Sequence, residues 1–404
     1  MRGYLIVAFV GALVTFLATF GIRRIATRIG AMSLPGPRSV HEYVTPTLGG
    51  AGMFLGFLAA IATATQIEQF DEMFSSSSEP LGLMLAAGVM FVVGALDDLR
   101  EVSPPAKVAG QVLSASCLSL LGVTMLFFRV PFASYEYVVL SPNWAALVTV
   151  LTVVLLANAL NLIDGLDGLA AGIVIISGIA FFLYSDRLFK AGLLDGSNIA
   201  PLVAAITVAI CAGFLPHNWH PAKIFMGDAG AMFLGLLLAV STITVGGRTA
   251  DQFSGQTYFF FAPLLIPIVI LAVPLADTGF SFLRRVMKRQ SFSTPDREHL
   301  HHRLMRLGHG PRRTVAVLWL WTALLSAAAL VPTYTNRGTA LVPLAVAGLA
   351  LLLFTYFHPG VRTRREEEAA AAEARAAELP AASSSGDEEV RVVDLEERRR
   401  ARSG

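Results

Sequence analysis

Apolar stretches of about twenty residues recur along almost the whole chain, and that spacing narrows the possible folds. A helix of about twenty residues is as long as the hydrocarbon core of a bilayer is thick. Inside that core every backbone polar group needs an internal partner, so a spanning segment is a helix or part of a closed barrel. Barrel strands alternate apolar and polar residues over about ten positions, whereas these runs are continuous. With 54% hydrophobic and 15% charged residues over 404 positions, the chain is too apolar for a soluble protein. The expected fold is therefore all-α, a polytopic integral membrane protein. Eleven spans are expected, at about 3–21, 48–66, 80–96, 106–128, 143–161, 168–185, 197–215, 229–246, 258–276, 314–333 and 339–357. The first run is long, is followed by arginines and shows no secretory cleavage signal, so it reads as a retained span. Cys117 and Cys211 lie inside apolar runs and read as packing thiols.

Lysine and arginine are retained on the cytoplasmic side of short loops. The loops after odd-numbered spans hold sixteen of them: Arg23, Arg24, Arg28, Arg38, Arg100, Lys107, Lys223 and nine between Arg284 and Arg313. The opposite loops hold five, Arg129, Arg187, Lys190, Arg248 and Arg337. This bias predicts an outside N-terminus and a cytoplasmic C-terminus. Residues 1–360 form the transmembrane domain in this reading. Residues 361–404, rich in Arg, Glu, Ala and Ser, form a charged, disordered cytoplasmic tail.

Five polar blocks interrupt the apolar pattern, and all fall on the predicted cytoplasmic side. Acidic residues bordering hydrocarbon are costly and mark function by default. The first block ends a span with Asp97 and Asp98, followed by Lys107 and, one turn on, Gln111. Adjacent carboxylates repel, so one holds its proton unless a cation is near; a plain helix-ending pair is the other reading. The second block runs Asn158, Asn161, Asp164, Asp167 at spacings of three. In an unbroken helix the four would not share a face. Breaks at Gly165 and Gly168 let Asn161, Asp164 and Asp167 converge, and their oxygens are the ligands Mg²⁺ prefers. The third block is Phe225-Met226-Gly227-Asp228-Ala229-Gly230. Asp228 either caps the next helix or meets a ligand, with Phe225 stacking on a base. The fourth is Asp277, closing the ninth span, and the fifth holds Asp296, Arg297, His299, His301, His302 and Arg303. Zinc is the alternative use of such a histidine cluster, but no thiolate is near and the arginines repel a cation; phosphate binding fits better. A cation-coupled transporter is the rival class for intramembrane acids. It calls for acids near the midplane and internal repeats, and neither is seen here.

In this order the blocks resemble the polyprenyl-phosphate N-acetylhexosamine-1-phosphate transferase superfamily, glycosyltransferase family 4. The resemblance rests on Asp97-Asp98 with Lys107, the Asn-x-x-Asn-x-x-Asp-Gly-x-Asp-Gly-Leu run from Asn158, Phe225 to Asp228, the His-rich loop, and an early loop from Ser39 to Gly50. Pro295-Asp296-Arg297-x-His299-Leu300-His301-His302-Arg303 resembles the N-acetylglucosamine branch. The phospho-N-acetylmuramoyl-pentapeptide branch, the alternative, has three consecutive histidines. Many members carry Ser where this chain has Ala231. The resemblance implies transfer of a sugar 1-phosphate from a UDP-N-acetylhexosamine to polyprenyl phosphate, with release of UMP and with Mg²⁺ (Mn²⁺ substituting) as cofactor. It implies Asp228 and Asn161 as metal ligands and Asp97, Asp98, His299 and His302 as catalytic residues. Lys107, Asn158, Asp164, Asp167, Phe225, Arg297, His301 and Arg303 are implied as substrate contacts. No nucleic-acid partner is expected, and the implied setting is a multi-pass bacterial inner-membrane protein, as a homodimer, with a cytoplasmic site.

Overall fold

The computed structural model describes residues 1–34, 43–100, 102–128, 138–246, 268–269, 271–287, 303–305, 307–335 and 338–357. The described residues are mainly helical. The helices are α1 (Arg2–Ile29), α2 (Gly49–Ala64), α3 (Asp71–Ser76), α4 (Glu79–Arg100), α5 (Pro104–Leu120), α6 (Pro142–Ile163), α7 (Leu169–Lys190), α8 (Ala200–Asn218), α9 (Gly227–Gly246), α10 (Ala272–Met287), α11 (Pro311–Thr335) and α12 (Leu341–Phe357). Two short antiparallel ribbons accompany them. β1 (Met32–Ser33) pairs with β2 (Thr45–Pro46), and β3 (Phe127–Phe128) with β4 (Val138–Val139). The chain divides into Met1–Thr355 and Tyr356–Gly404.

Among the described residues, α1, α4, α6, α7, α8, α9 and α11 are long and apolar enough to cross a membrane. An eighth span results if α2 and the segment Glu68–Ser76, bent by 94° from it, count as one. The expected stretches 48–66, 106–128 and 339–357 are realised as the shorter helices α2, α5 and α12. α5 stops at Leu120, well before 128, because Gly122 turns left-handed (φ 99°) and the Val123 N–H returns to the Leu118 carbonyl. The expected span 258–276 lies largely outside the described residues. The helix found there, α10, runs through Asp277 to Met287 instead of closing at it.

α9 is the hub. Of its apolar window, 94% is buried, and it packs against α2, α4, α6 and α8. Helices that touch on all sides need small residues where backbones meet. A Cβ on Gly94 of α4 would stand 2.5 Å from the Ala229 Cα of α9, so only glycine lets these two helices approach. Around the hub α1 packs on α2 and α8, α7 on α8 and α11, and α10 on α6.

This packing yields a contrast within one helix. Gly94→Leu overpacks the α4–α9 contact and is expected to cost at least about 1–3 kcal/mol, seen as a lower thermal midpoint of the detergent-solubilised protein. Gly88→Leu, whose added side chain starts in open space, should leave the midpoint unchanged.

Candidate active site

Three of the polar blocks meet at the start of α9. The turn before α9 lies against the β2–α2 connection. Phe225 N–H donates to Pro46 O (2.9 Å), Gly49 N–H to Phe225 O (2.9 Å) and Gly50 N–H to Met226 O (2.9 Å). Gly227 then adopts φ +68°, which L side chains rarely take, and a Cβ there would collide with the Asp98 carboxylate. The first amides of a helix have no partner within it and carry partial positive charge. Asp98, reaching from α4, supplies that partner: its Oδ1 accepts Asp228 N–H (2.9 Å) and its Oδ2 accepts Ala229 N–H (3.1 Å). The cap of α9 is thus Asp98, which leaves the Asp228 side chain free for other contacts.

Asp97 faces elsewhere, so the adjacent carboxylates are separated onto two sources of positive charge. Its Oδ1 accepts Val102 N–H (2.8 Å) and its Oδ2 accepts the Lys107 ammonium (3.1 Å). The same ammonium also donates to Asp228. Asn161 Nδ2 donates to Asp228 Oδ2 at 3.2 Å. Asp97, Lys107, Asp228 and Asn161, from α4, α5, α9 and α6, therefore form one charged knot at the helix ends.

The second block breaks as its glycines require. α6 ends at Ile163 with Asp164 as its C-cap, and Gly168 in the left-handed region opens α7. The turn between them is braced from α8. Asn218 Oδ1 accepts Gly168 N–H (2.8 Å) and Asn218 Nδ2 donates to Ile224 O (3.1 Å), so one buried amide joins both loops of the site. Asp167 Oδ2 takes the His220 Nδ1 contact (2.8 Å) and Ala222 N–H (3.0 Å). Asp164 has its carboxyl pushed up to about 7, chiefly because burial disfavours its charge, with Asp98 and Asp167 adding like-charge repulsion.

These loops enclose a cavity of about 480 Å³, within the range of nucleotide-sized ligands. Asp98, Asn161, Asp164, Asp167, Phe225 and Asp228 line it, with Asp97 and Lys107 in the adjoining knot. Asn158 is not on its wall. One turn deeper along α6, its amide exchanges hydrogen bonds with Gln111 of α5 (2.7 and 3.4 Å). A polar group at that depth needs a protein partner in place of water, and the Asn158–Gln111 pair links α6 to α5. Asp277 is buried on α10 and is not among the lining residues. Arg303 is exposed on a short helical segment, 303–305, and is not among the lining residues. His299, His301, His302 and Arg297 lie outside the described residues.

Other wall residues escape a reading by blocks. Asn218, Trp219 and His220 follow a span with no acidic signal. Pro311, Arg312, Val315, Ala316 and Trp319 belong to the start of α11, where arginines read as ordinary orientation signals. A proline-broken Asn-Trp-His run beside an apolar helix end was the one available hint.

Residues 80–246, which carry the first three blocks, match the model of glycosyl transferase family 4. Decaprenyl-phosphate N-acetylglucosaminephosphotransferase of Mycobacterium tuberculosis is 35% identical over 360 residues, 87% of this chain and 89% of that protein. The chain belongs to glycosyl transferase family 4. The undecaprenyl-phosphate α-N-acetylglucosaminyl 1-phosphate transferases of Yersinia pestis and Escherichia coli are 30% and 27% identical over 344 and 355 residues. They are covered over 86% and 88% of their lengths, by 83% and 85% of this chain. The similarity to N-acetylglucosamine phosphotransferases thus extends over most of the chain, and the range 80–246 holds the acidic blocks that α9 gathers.

Two outcomes follow for this family 4 site. Asn218→Ala leaves a buried amide and a buried carbonyl unsatisfied and should cost about 1–3 kcal/mol, read from thermal unfolding. Asp164 holds its proton to higher pH when folded than when unfolded, so folding stability falls as pH rises from about 4 to about 7. Asp164→Asn should remove the part of that slope due to Asp164, so that stability relative to the parent is higher at pH 8 than at pH 4.

Proposed function

We propose that this protein transfers N-acetylglucosamine 1-phosphate from UDP-N-acetylglucosamine to a polyprenyl phosphate, releasing UMP and starting a lipid-linked cell-envelope polysaccharide. The observation that carries the reading is the convergence of Asp97, Asp98, Asn161, Lys107 and Asp228 at the mouth of one cavity, in a chain alike over most of its length to N-acetylglucosamine phosphotransferases. Most described lining residues lie at helix ends or connections that the lysine and arginine bias assigns to the cytoplasm, and Val315, Ala316 and Trp319 extend the wall into α11. This supports an inner-membrane protein of eleven spans, N-terminus outside, with a cytoplasmic site. There a water-soluble nucleotide sugar and a lipid-borne phosphate can meet.

The residues fit a hard divalent cation. Asp228, Asp97 and Asn161 supply carboxylate and amide oxygens. Among the described residues no group of three His, Cys, Asp or Glu is set to hold a metal unaided. Mg²⁺ is commonly held by one or two carboxylates with waters and substrate phosphates completing its shell. The Lys107 ammonium between Asp97 and Asp228 shows that this position accepts positive charge. Asp228 and Asn161 would be the ligands, and Mg²⁺ bound there would neutralise charge building on the donor diphosphate.

The chain's own residues then do the positioning. With a divalent cation at Asp228, Lys107 is free to contact the phosphates. Phe225, Asp164 and Asp167 hold the uridine and sugar, and the basic loop carrying Arg297, His299, His301, His302 and Arg303 adds phosphate contacts. An oxygen of the lipid phosphate attacks the β-phosphorus of the donor, the bond from that phosphorus to the bridging oxygen breaks, and UMP leaves with the electron pair. The acceptor phosphate has a second pKa of about 6 and is mostly ionised at neutral pH, so no base need be strong. Both oxygens of Asp98 and of Asp97 already accept hydrogen bonds, which favours direct displacement over an aspartyl intermediate. Orientation and charge neutralisation supply the rate.

The test is UMP release by purified protein given UDP-N-acetylglucosamine and polyprenyl phosphate, with and without Mg²⁺. Chelation should stop it. Asp228→Asn and Asn161→Ala should each lower kcat/KM by about 10²-fold or more, a loss of several kcal/mol, while the proteins stay inserted and folded. Full activity in Asp228→Asn would refute the metal assignment.

A further inference from the structure

The cavity has a charge problem that the polar blocks do not solve. Its wall carries Asp98, Asp164, Asp167 and Asp228. The basic groups near these are already engaged: Lys107 with Asp97 and Asp228, and His220 with Asp167. One lining cation is different. Arg312, in the first turn of α11, has no carboxylate partner among the described residues, although four aspartates line the same cavity.

The helix that carries it is fastened at two points. His309, just before the helix and 2% exposed, makes a 2.9 Å contact from Nε2 to the Thr355 carbonyl of α12. That carbonyl's usual helical donor would be the amide four residues on, but position 359 is proline and has no N–H. Two turns into α11, Trp319 Nε1 donates to Leu169 O of α7 at 3.2 Å. Its ring occupies the space over Gly172, where a Cβ would clash with the indole. Pinned at both points, the start of α11 is fixed beside the cavity, with Arg312 exposed on it. A guanidinium with no carboxylate partner among the described residues, on a wall that carries four aspartates, is suited to an anion that enters from solution, and its planar fork matches phosphate oxygens.

We propose that Arg312 binds a phosphate of the nucleotide-sugar donor, with His309 and Trp319 holding its helix in place. This rests on the donor being a UDP-sugar, as proposed above. Arg312 lines the same cavity as Phe225, Asn218, Trp219 and Trp319, whereas Asp97 and Lys107 of the knot are not among the lining residues.

Steady-state kinetics with each substrate varied, together with calorimetric binding of UDP, tests this. Arg312→Gln should raise the KM for UDP-N-acetylglucosamine about tenfold or more and weaken UDP by a similar factor. It should leave kcat and the polyprenyl-phosphate KM within about twofold of the parent. Arg312→Lys should recover part of the loss. Arg313→Gln, next in sequence but not on the cavity wall, should behave as the parent. Donor KM and UDP affinity unchanged in Arg312→Gln, or a rise confined to the lipid substrate, would overturn the assignment. If the parent itself released no UMP, the transferase reading would fail instead, and UDP binding to parent and variant would still judge Arg312.

Discussion

A buried helix start and a carboxylate at the edge of a bilayer are each unfavourable alone, and in this protein each satisfies the other. α9 is almost wholly enclosed, and its first amides have no partner within the helix. Asp98 ends its own helix beside hydrocarbon and needs donors. Its two oxygens on the Asp228 and Ala229 amides answer both needs, and the helix's partial positive charge favours the carboxylate further. The close contact at Gly94 and the turn at Gly227 make that bond geometrically possible. Break it, and Asp228 is no longer held opposite Asp97 and Lys107, and the Phe225 turn loses its seat on Gly49 and Gly50.

The same constraint explains why two adjacent aspartates do different things. Asp98 caps α9 and also lines the site. Asp97 belongs to the knot with Lys107 and Asp228. One ammonium shared by two carboxylates leaves the knot with a net negative charge, so it is shaped to accept further positive charge. Phosphoryl transfer between two anions demands such neutralisation, and the protein supplies it at rigid helix ends.

Much of this was legible from residue order. Runs of apolar residues place the helices, and paired glycines around Asp164 and Asp167 correctly mark where α6 breaks from α7. What could not be read was which polar residue turns to which partner. Asn158 sits in register with Asn161, yet one helical turn of depth removes it from the cavity and gives it to Gln111. Asp228 has the sequence context of an N-cap, yet the cap arrives from α4, 130 residues away in the chain. Asn218, His220 and Arg312 carry no motif, because their importance arises only when α8 and α11 are brought beside the Asp167 turn.

The reaction itself is open to one decisive measurement. UDP-N-acetylglucosamine labelled with ¹⁴C in the sugar and ³²P in the β-phosphate can be given to the purified protein with polyprenyl phosphate and Mg²⁺. The account predicts that the lipid product carries both labels in the ratio of the donor while unlabelled UMP is released. A lipid carrying ¹⁴C without ³²P, with the labelled phosphate leaving as UDP, would contradict it.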